Sequence, residues 1–248
     1  MGAELRLVEL PSKTAPLLPV WPVHGHRNPN DLSTLFSSDS EGTLTEQMKP
    51  ILERALHIVE GYLPQTFEGN FQLWIFKNIP YAAKTLNPQL ILSAQVLGPE
   101  NRERLPFVIA HEIHHLALMR TGLLKSHPLA QTQILAGLLT EGIATFLSIS
   151  SGLFPELDQI IQEPQQLKTS FGQIRSALSH SADAQAPGDD LFQQNKWGYY
   201  VGCWMIQQIE GRFGRKAWLV LLNKSAEEAA QELVTLYLRT NPPAEYRF

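Results

Sequence analysis

Leu105-Pro106-Phe107-Val108-Ile109-Ala110-His111-Glu112-Ile113-His114-His115-Leu116-Ala117-Leu118-Met119 reads as one helix. Pro106 suits a first helical turn, and the residues around the polar cluster are apolar at helical spacing. Thr121-Gly122 supplies a stop. Positions i and i+4 of a helix share a face, so His111 and His115 can aim imidazole nitrogens at one point. Two such nitrogens are half of a tetrahedral zinc site. Glu112, one residue on from His111, can lean over the open coordination position and take a proton from water there. His114 lies about 100 degrees around the helix from His115. It cannot comfortably share the same metal, so it is expected on the helix surface or behind the ligands.

Working outward toward the N-terminus, Phe71-Gln-Leu-Trp-Ile-Phe76 alternates and is rich in aromatic and branched residues, which predicts a strand. Pro88 to Ala94 reads as a second strand, preceded by a turn at Asn87-Pro88. A small antiparallel sheet packed on the histidine helix is the simple arrangement. Before it, residues 44–62 read as an amphipathic helix, opened by a capping box at Thr43-Leu-Thr-Glu46 and ended by Gly61 and Pro64. His57 falls at the edge of its apolar face. Residues 1–42 read as an extended arm broken by Pro11, Pro16, Pro19, Pro22 and Pro29, and His24 and His26 are read as surface residues.

Toward the C-terminus the chain is predominantly helical. Residues 128–150 form one long apolar segment, residues 153–180 are helical with breaks at Pro155 and Pro164, and 181–190 is a polar loop. Helices are expected over 197–209, 216–223 and 226–238. Trp197, Trp204 and Trp218 are read as core, and Cys203 as a packed thiol. The expected fold is α+β: a small antiparallel sheet packed on a mainly helical domain. An N-terminal arm (1–42) precedes one domain (43–248), sheet-containing to about 120 and helical from about 121.

A third metal ligand comes from Leu138-Leu-Thr-Glu141-Gly-Ile-Ala-Thr-Phe146. A carboxylate embedded in an apolar helix is expensive unless it is paired or coordinates a metal. The nearest basic residues in sequence, Arg120 and Lys125, both precede Pro128. Glu141 therefore joins His111 and His115 as a candidate ligand, completing a His₂Glu set for one zinc per chain.

His-Glu-x-x-His on one helix and Glu-Gly-x-Ala on a following helix resemble the gluzincin metallopeptidases. The chain is especially similar to bacterial predicted zinc-dependent proteases, in which His-Glu-x-His-His is a common form. Tyr199-Tyr-Val-Gly202 and the segment running to Gly214 resemble the Tyr-x-x-Gly helix of the leucine-aminopeptidase-like members. The resemblance covers about residues 70–222. It implies a zincin-like domain and a zinc-dependent peptidase. Glu112 would be its general base and Tyr199 its oxyanion donor, with Tyr200 as the fallback. It also implies an edge strand that hydrogen-bonds an extended peptide, for which Leu90, Ile91, Leu92, Ser93 and Ala94 are the candidates. Two departures stand out. The interval from His115 to Glu141 is longer than in the aminopeptidases, and no Gly-x-Met-Glu-Asn segment anchors a substrate amino terminus. Aminopeptidase activity is therefore not expected.

The composition agrees. With 248 residues, 44% hydrophobic and 18% charged, the chain can bury a substantial core. A net charge of −4 leaves no basic footprint for nucleic acid. One cysteine rules out an internal disulfide framework. Residues 1–20 carry Glu4, Glu9 and three prolines in place of a continuous apolar stretch, and residues 134–149 are interrupted by Glu141. The expected partner is a peptide or protein substrate, with neither nucleic acid nor a membrane. A cytoplasmic monomer is expected, with secretion left open. Two other readings share these residues: a degenerate domain that binds peptide without cleaving it, and a zinc hydrolase of non-peptide substrates. A di-iron bundle would need a second Glu-x-x-His, which the chain lacks.

Overall fold

The structure is a computed structural model, and it describes residues 3–5, 41–64, 71–76, 82–86, 89–121, 123, 130–180, 191–192 and 195–248. The chain divides into two compact units. One comprises residues 1–61 and 68–116, the other residues 62–67 and 117–248. His24, His26, the bulk of the N-terminal arm and the loop 181–190 lie outside the described residues.

In the first unit, helix α1 (Glu41–Glu60) begins two residues before Thr43, which places the expected capping box inside the helix. Its apolar face buries Met48, Leu52, Ala55 and Val59, whereas His57 is exposed. The sheet is mixed, not antiparallel. Its order is β1 (Ala3–Leu5), β2 (Phe71–Phe76), β4 (Gln89–Ser93), β3 (Ala83–Leu86). The two strands expected from the sequence, β2 and β4, pair in parallel, and β3 pairs antiparallel with β4. The reason is the short strand β3, which precedes the turn expected at Asn87-Pro88 and which no sequence pattern announces. Only two residues separate the paired Leu86 and Gln89, so β3 and β4 form a hairpin. The chain therefore reverses twice between β2 and β4 and leaves them running the same way.

That topology also corrects the expected substrate strand. Leu90, Ile91, Leu92 and Ser93 form β4, which is paired on both sides, and Ala94 already begins a 3₁₀ turn. Leu90 and Leu92 are wholly buried. Among the described residues, β3 is the strand that ends the sheet beside β4.

Helix α2 (Leu105–Thr121) follows. Residues Leu105, Ile109, Ala110, Ile113, Leu116, Ala117 and Leu118 are buried, so apolar contacts surround most of its circumference.

The second unit is helical: α3 (Ala130–Ile149), α4 (Pro155–Gln162), α5 (Pro164–His180), α6 (Trp197–Phe213), α7 (Lys216–Leu219) and α8 (Ala226–Arg239). Pro155 and Pro164 open their helices, where a missing N–H costs nothing. Gly214 closes α6 in the left-handed region, at φ 77°. A capping box at Ser225 and Glu228 opens α8. Trp218 is wholly buried and donates to Glu210 at 2.9 Å, whereas Trp197 and Trp204 are only half-buried. Among the described helices, α3 alone is long and apolar enough by length and composition to cross a membrane; 78% of its most apolar window is buried within the fold. It falls within the long apolar segment expected over 128–150, and it carries buried residues from Ala130 to Ile149.

Candidate metal centre

Helix α2 starts from the Arg104 carbonyl, which accepts from Phe107 N at 3.0 Å and Val108 N at 3.1 Å. Two turns on, it presents His111 and His115 one above the other. Their Nε2 atoms lie 3.0 Å apart, with ring centroids 4.8 Å apart and planes inclined at 73°. Two imidazole nitrogens so close need a proton or a cation between them. Nitrogen ligands about 2.0–2.1 Å from one tetrahedral ion are themselves about 3.4 Å apart. At 3.0 Å the two nitrogens lie at hydrogen-bond distance, and a movement apart of about 0.4 Å brings them to the spacing of ligands on one ion.

Glu141 on α3 completes the set. His111, His115 and Glu141 each offer one ligand atom, and these atoms all lie within 4.8 Å of one another. Two neutral imidazoles and one carboxylate make a donor set of borderline softness that suits zinc. Both imidazoles are buried, at 6% and 9% exposure, which favours a site shielded from bulk water.

Glu112, adjacent in sequence to His111, is also buried. The hydroxyl of Thr85 on β3 lies 2.7 Å from its Oε2 and 2.7 Å from its backbone oxygen. His114 is wholly buried, so the helix-surface expectation for it fails. Its ring stands 6.2 Å from that of His115.

Glycines position Glu141. A Cβ added at Gly142 would stand 2.4 Å from the Gly202 carbonyl carbon, and one added at Gly202 would stand 2.2 Å from the Leu138 carbonyl oxygen. The backbones of α3 and α6 touch there. A second pair, Gly137 and Gly198, admits the ring of Phe192, which a Cβ at either position would meet at 2.6 or 2.1 Å. Phe192 in turn tilts against Tyr199, with centroids 6.4 Å apart. Gly137 and Glu141 are four residues apart and share a face of α3. Tyr199 therefore lies toward the face that carries Glu141. Tyr200 is the next residue around the helix, and burial raises its phenol above the ordinary value of 10.0.

Cys203 is wholly buried, and burial together with Asp158 holds its thiol well above the usual range. It is a packed thiol, as expected. Asp189 and Asp190, acidic residues of the polar loop whose carboxylates could accept from the ligand histidines, lie outside the described residues. Three contributors escaped the sequence reading: Thr85, Phe192 and the pair Gly137/Gly198. The spacing Gly198-x-x-x-Gly202 in an apolar helix was the signal available for the last. Thr85 had none, because its strand is four residues long.

A family model described as "Putative zinc dependent peptidase (DUF5700)" matches residues 41–239, most of the chain. No curated protein and no solved structure matches it.

Proposed function

The chain belongs to the family described as "Putative zinc dependent peptidase (DUF5700)", and from that premise we propose that His111, His115 and Glu141 hold one zinc with which the protein hydrolyses peptide bonds in the gluzincin manner. The observation that carries this reading is the convergence of those three donor atoms within 4.8 Å, beside the buried carboxylate of Glu112.

The chemistry a bound zinc supplies is Lewis acidity, which makes water acidic near neutral pH and draws charge onto a carbonyl oxygen. The protein's own residues do the rest. Glu112 takes the proton from the attacking water and passes it to the departing amine. Tyr199 donates its phenolic hydrogen to the oxyanion that develops on the scissile carbonyl. Its placement against Phe192, toward the Glu141 face of α3, favours it over Tyr200.

The peptide docks on β3, not β4. Ser93 N donates to Ala82 O at 2.8 Å, which makes residues 82 and 93 a hydrogen-bonded pair. By the alternation of antiparallel ladders, Lys84 and Leu86 also bond toward β4. Ala83 and Thr85 thus turn their N–H and C=O groups to the outer edge. An extended substrate can add there as a further strand.

Metal analysis and kinetics on matched variants test this together. Protein purified without chelator should hold about one zinc per chain, and Glu141→Ala should lose it. Glu112→Gln should keep the zinc and lose hydrolysis of a peptide library by roughly 10²–10⁴-fold. A zinc-free wild type, or a fully active Glu112→Gln, refutes the proposal.

A further inference from the structure

We infer that Thr85 is a positioning residue that ties peptide docking to the orientation of Glu112; the inference rests on the zinc-peptidase reading for the role of that carboxylate. Thr85 is 4% exposed, and its hydroxyl lies 2.7 Å from both Glu112 Oε2 and the Glu112 backbone oxygen. A hydroxyl has one proton and can donate to one acceptor at a time. The backbone oxygen lies inside α2, where the helix's own ladder supplies a donor. A bond to a carboxylate is charge-assisted and roughly twice as strong as one to a neutral acceptor. The proton of Thr85 therefore goes to Oε2.

The consequence is geometric. A carboxylate on a glutamate side chain has three torsions to fix before it can act as a base, and misplacement by about 1 Å is enough to cost a hundredfold in rate. Threonine is β-branched and stiff at χ1, so its oxygen is placed by the strand itself. Oε2 is pinned by that oxygen, and the remaining oxygen, Oε1, is the one assigned to proton transfer. Thr85 also presents its own N–H and C=O to the outer edge of β3, opposite the side that pairs with Leu90. Successive side chains alternate across a strand. The same residue thus meets an added strand through its main chain and grips the base through its side chain. A peptide pairing with β3 would press directly on the residue that aims Glu112.

The test uses the full-length zinc enzyme and two variants of nearly the same shape, Thr85→Val and Thr85→Ser. Thr85→Val should retain zinc and keep KM within about twofold while kcat falls roughly 10–100-fold, the range for removing a support of a catalytic group. Thr85→Ser should recover most of kcat. The second readout needs no activity. In zinc-free protein, Thr85→Val should lower the melting midpoint by roughly 2–6 °C, and by less than half as much in a Glu112→Ala background. An unchanged kcat alongside a dead Glu112→Gln would overturn the inference and leave the zinc-peptidase reading standing. An equal melting penalty in both backgrounds would show that the hydroxyl serves the backbone oxygen alone. That outcome overturns the inference whether or not a peptide is cleaved.

Discussion

Helix α2 and the pair α3/α6 place chemical groups by opposite means. On α2 the groups are packed into five consecutive residues, and their alignment follows from helical geometry alone, because i and i+4 stack. What supports the carboxylate among them, Glu112, is another side chain, Thr85 on β3, at 2.7 Å. On α3 a single carboxylate stands in an apolar helix, and what places it is the absence of side chains. Gly142 and Gly202 let two backbones meet where a single added carbon would stand 2.2–2.4 Å from the neighbouring main chain. The first arrangement can be undone one side chain at a time, since removing the Thr85 hydroxyl leaves the helix in place. The second cannot, since a helix axis moves as a unit. The difference teaches that one half of a site can be specified locally while the other depends on how closely two distant segments approach.

Tyr199 is the point where this contrast can be broken. It is the one side chain on α6 to which the proposal gives a chemical role. Tyr199→Phe should lower kcat roughly 10²–10³-fold, about 2.7–4 kcal/mol of transition-state stabilisation, with zinc content unchanged. Steady-state kinetics with metal analysis decides it. No effect would make α3/α6 a carrier for Glu141 alone, and an effect confined to Tyr200→Phe would shift the donor by one residue.

Gly202→Ala sharpens the contrast. The added methyl meets the Leu138 carbonyl oxygen and the Gly142 Cα, neither of which can swing aside. The expected cost is at the upper end of overpacking penalties, about 3 kcal/mol, or a melting midpoint lower by roughly 6–12 °C. Calorimetry should show that loss in zinc-free protein too, because it comes from packing. A melting curve like that of the wild type would mean the helices separate at no cost.

The smallest effect concerns Lys196, which begins α6 in the left-handed region at φ 56°. Burial pushes its ammonium down to about 8 from 10.5. Between those values the unfolded chain holds a proton that the folded chain has released, so stability rises with pH across that window. Below about 8 both states are charged and the contribution is flat. Lys196→Met should remove the rise, measured as denaturation midpoints at pH 7.5 and 9.5. A rise that persists in the variant assigns it to another group.

The sheet shows why part of the fold was not legible. The strand at 71–76 announces itself by alternation, the strand at 89–93 by a short branched apolar run after a turn, and the paired histidine helix by its i, i+4 spacing. Their relative direction depends on β3, whose four residues are too few to carry a period. Without β3, two strands close in sequence suggest an antiparallel pair and place the substrate edge on Leu90 to Ala94, whereas β4 is paired on both sides. Thr85 was lost with β3. Phe192 was lost for a different reason: nothing in a lone aromatic residue shows that it will fill the gap left by two glycines.

By itself, the sequence determined the chemical identity of the candidate centre: two imidazoles on one helical face, a base beside them, and an isolated carboxylate farther along. Those follow from short-range periodicity and from the cost of burying a charge. Tertiary structure decided what holds each group in place. The parallel pairing of β2 with β4, the outer position of β3, the grip of Thr85 on Glu112 and the contact of Gly142 with Gly202 all join residues far apart in the chain. Their proximity is set by packing as a whole, which no local pattern encodes.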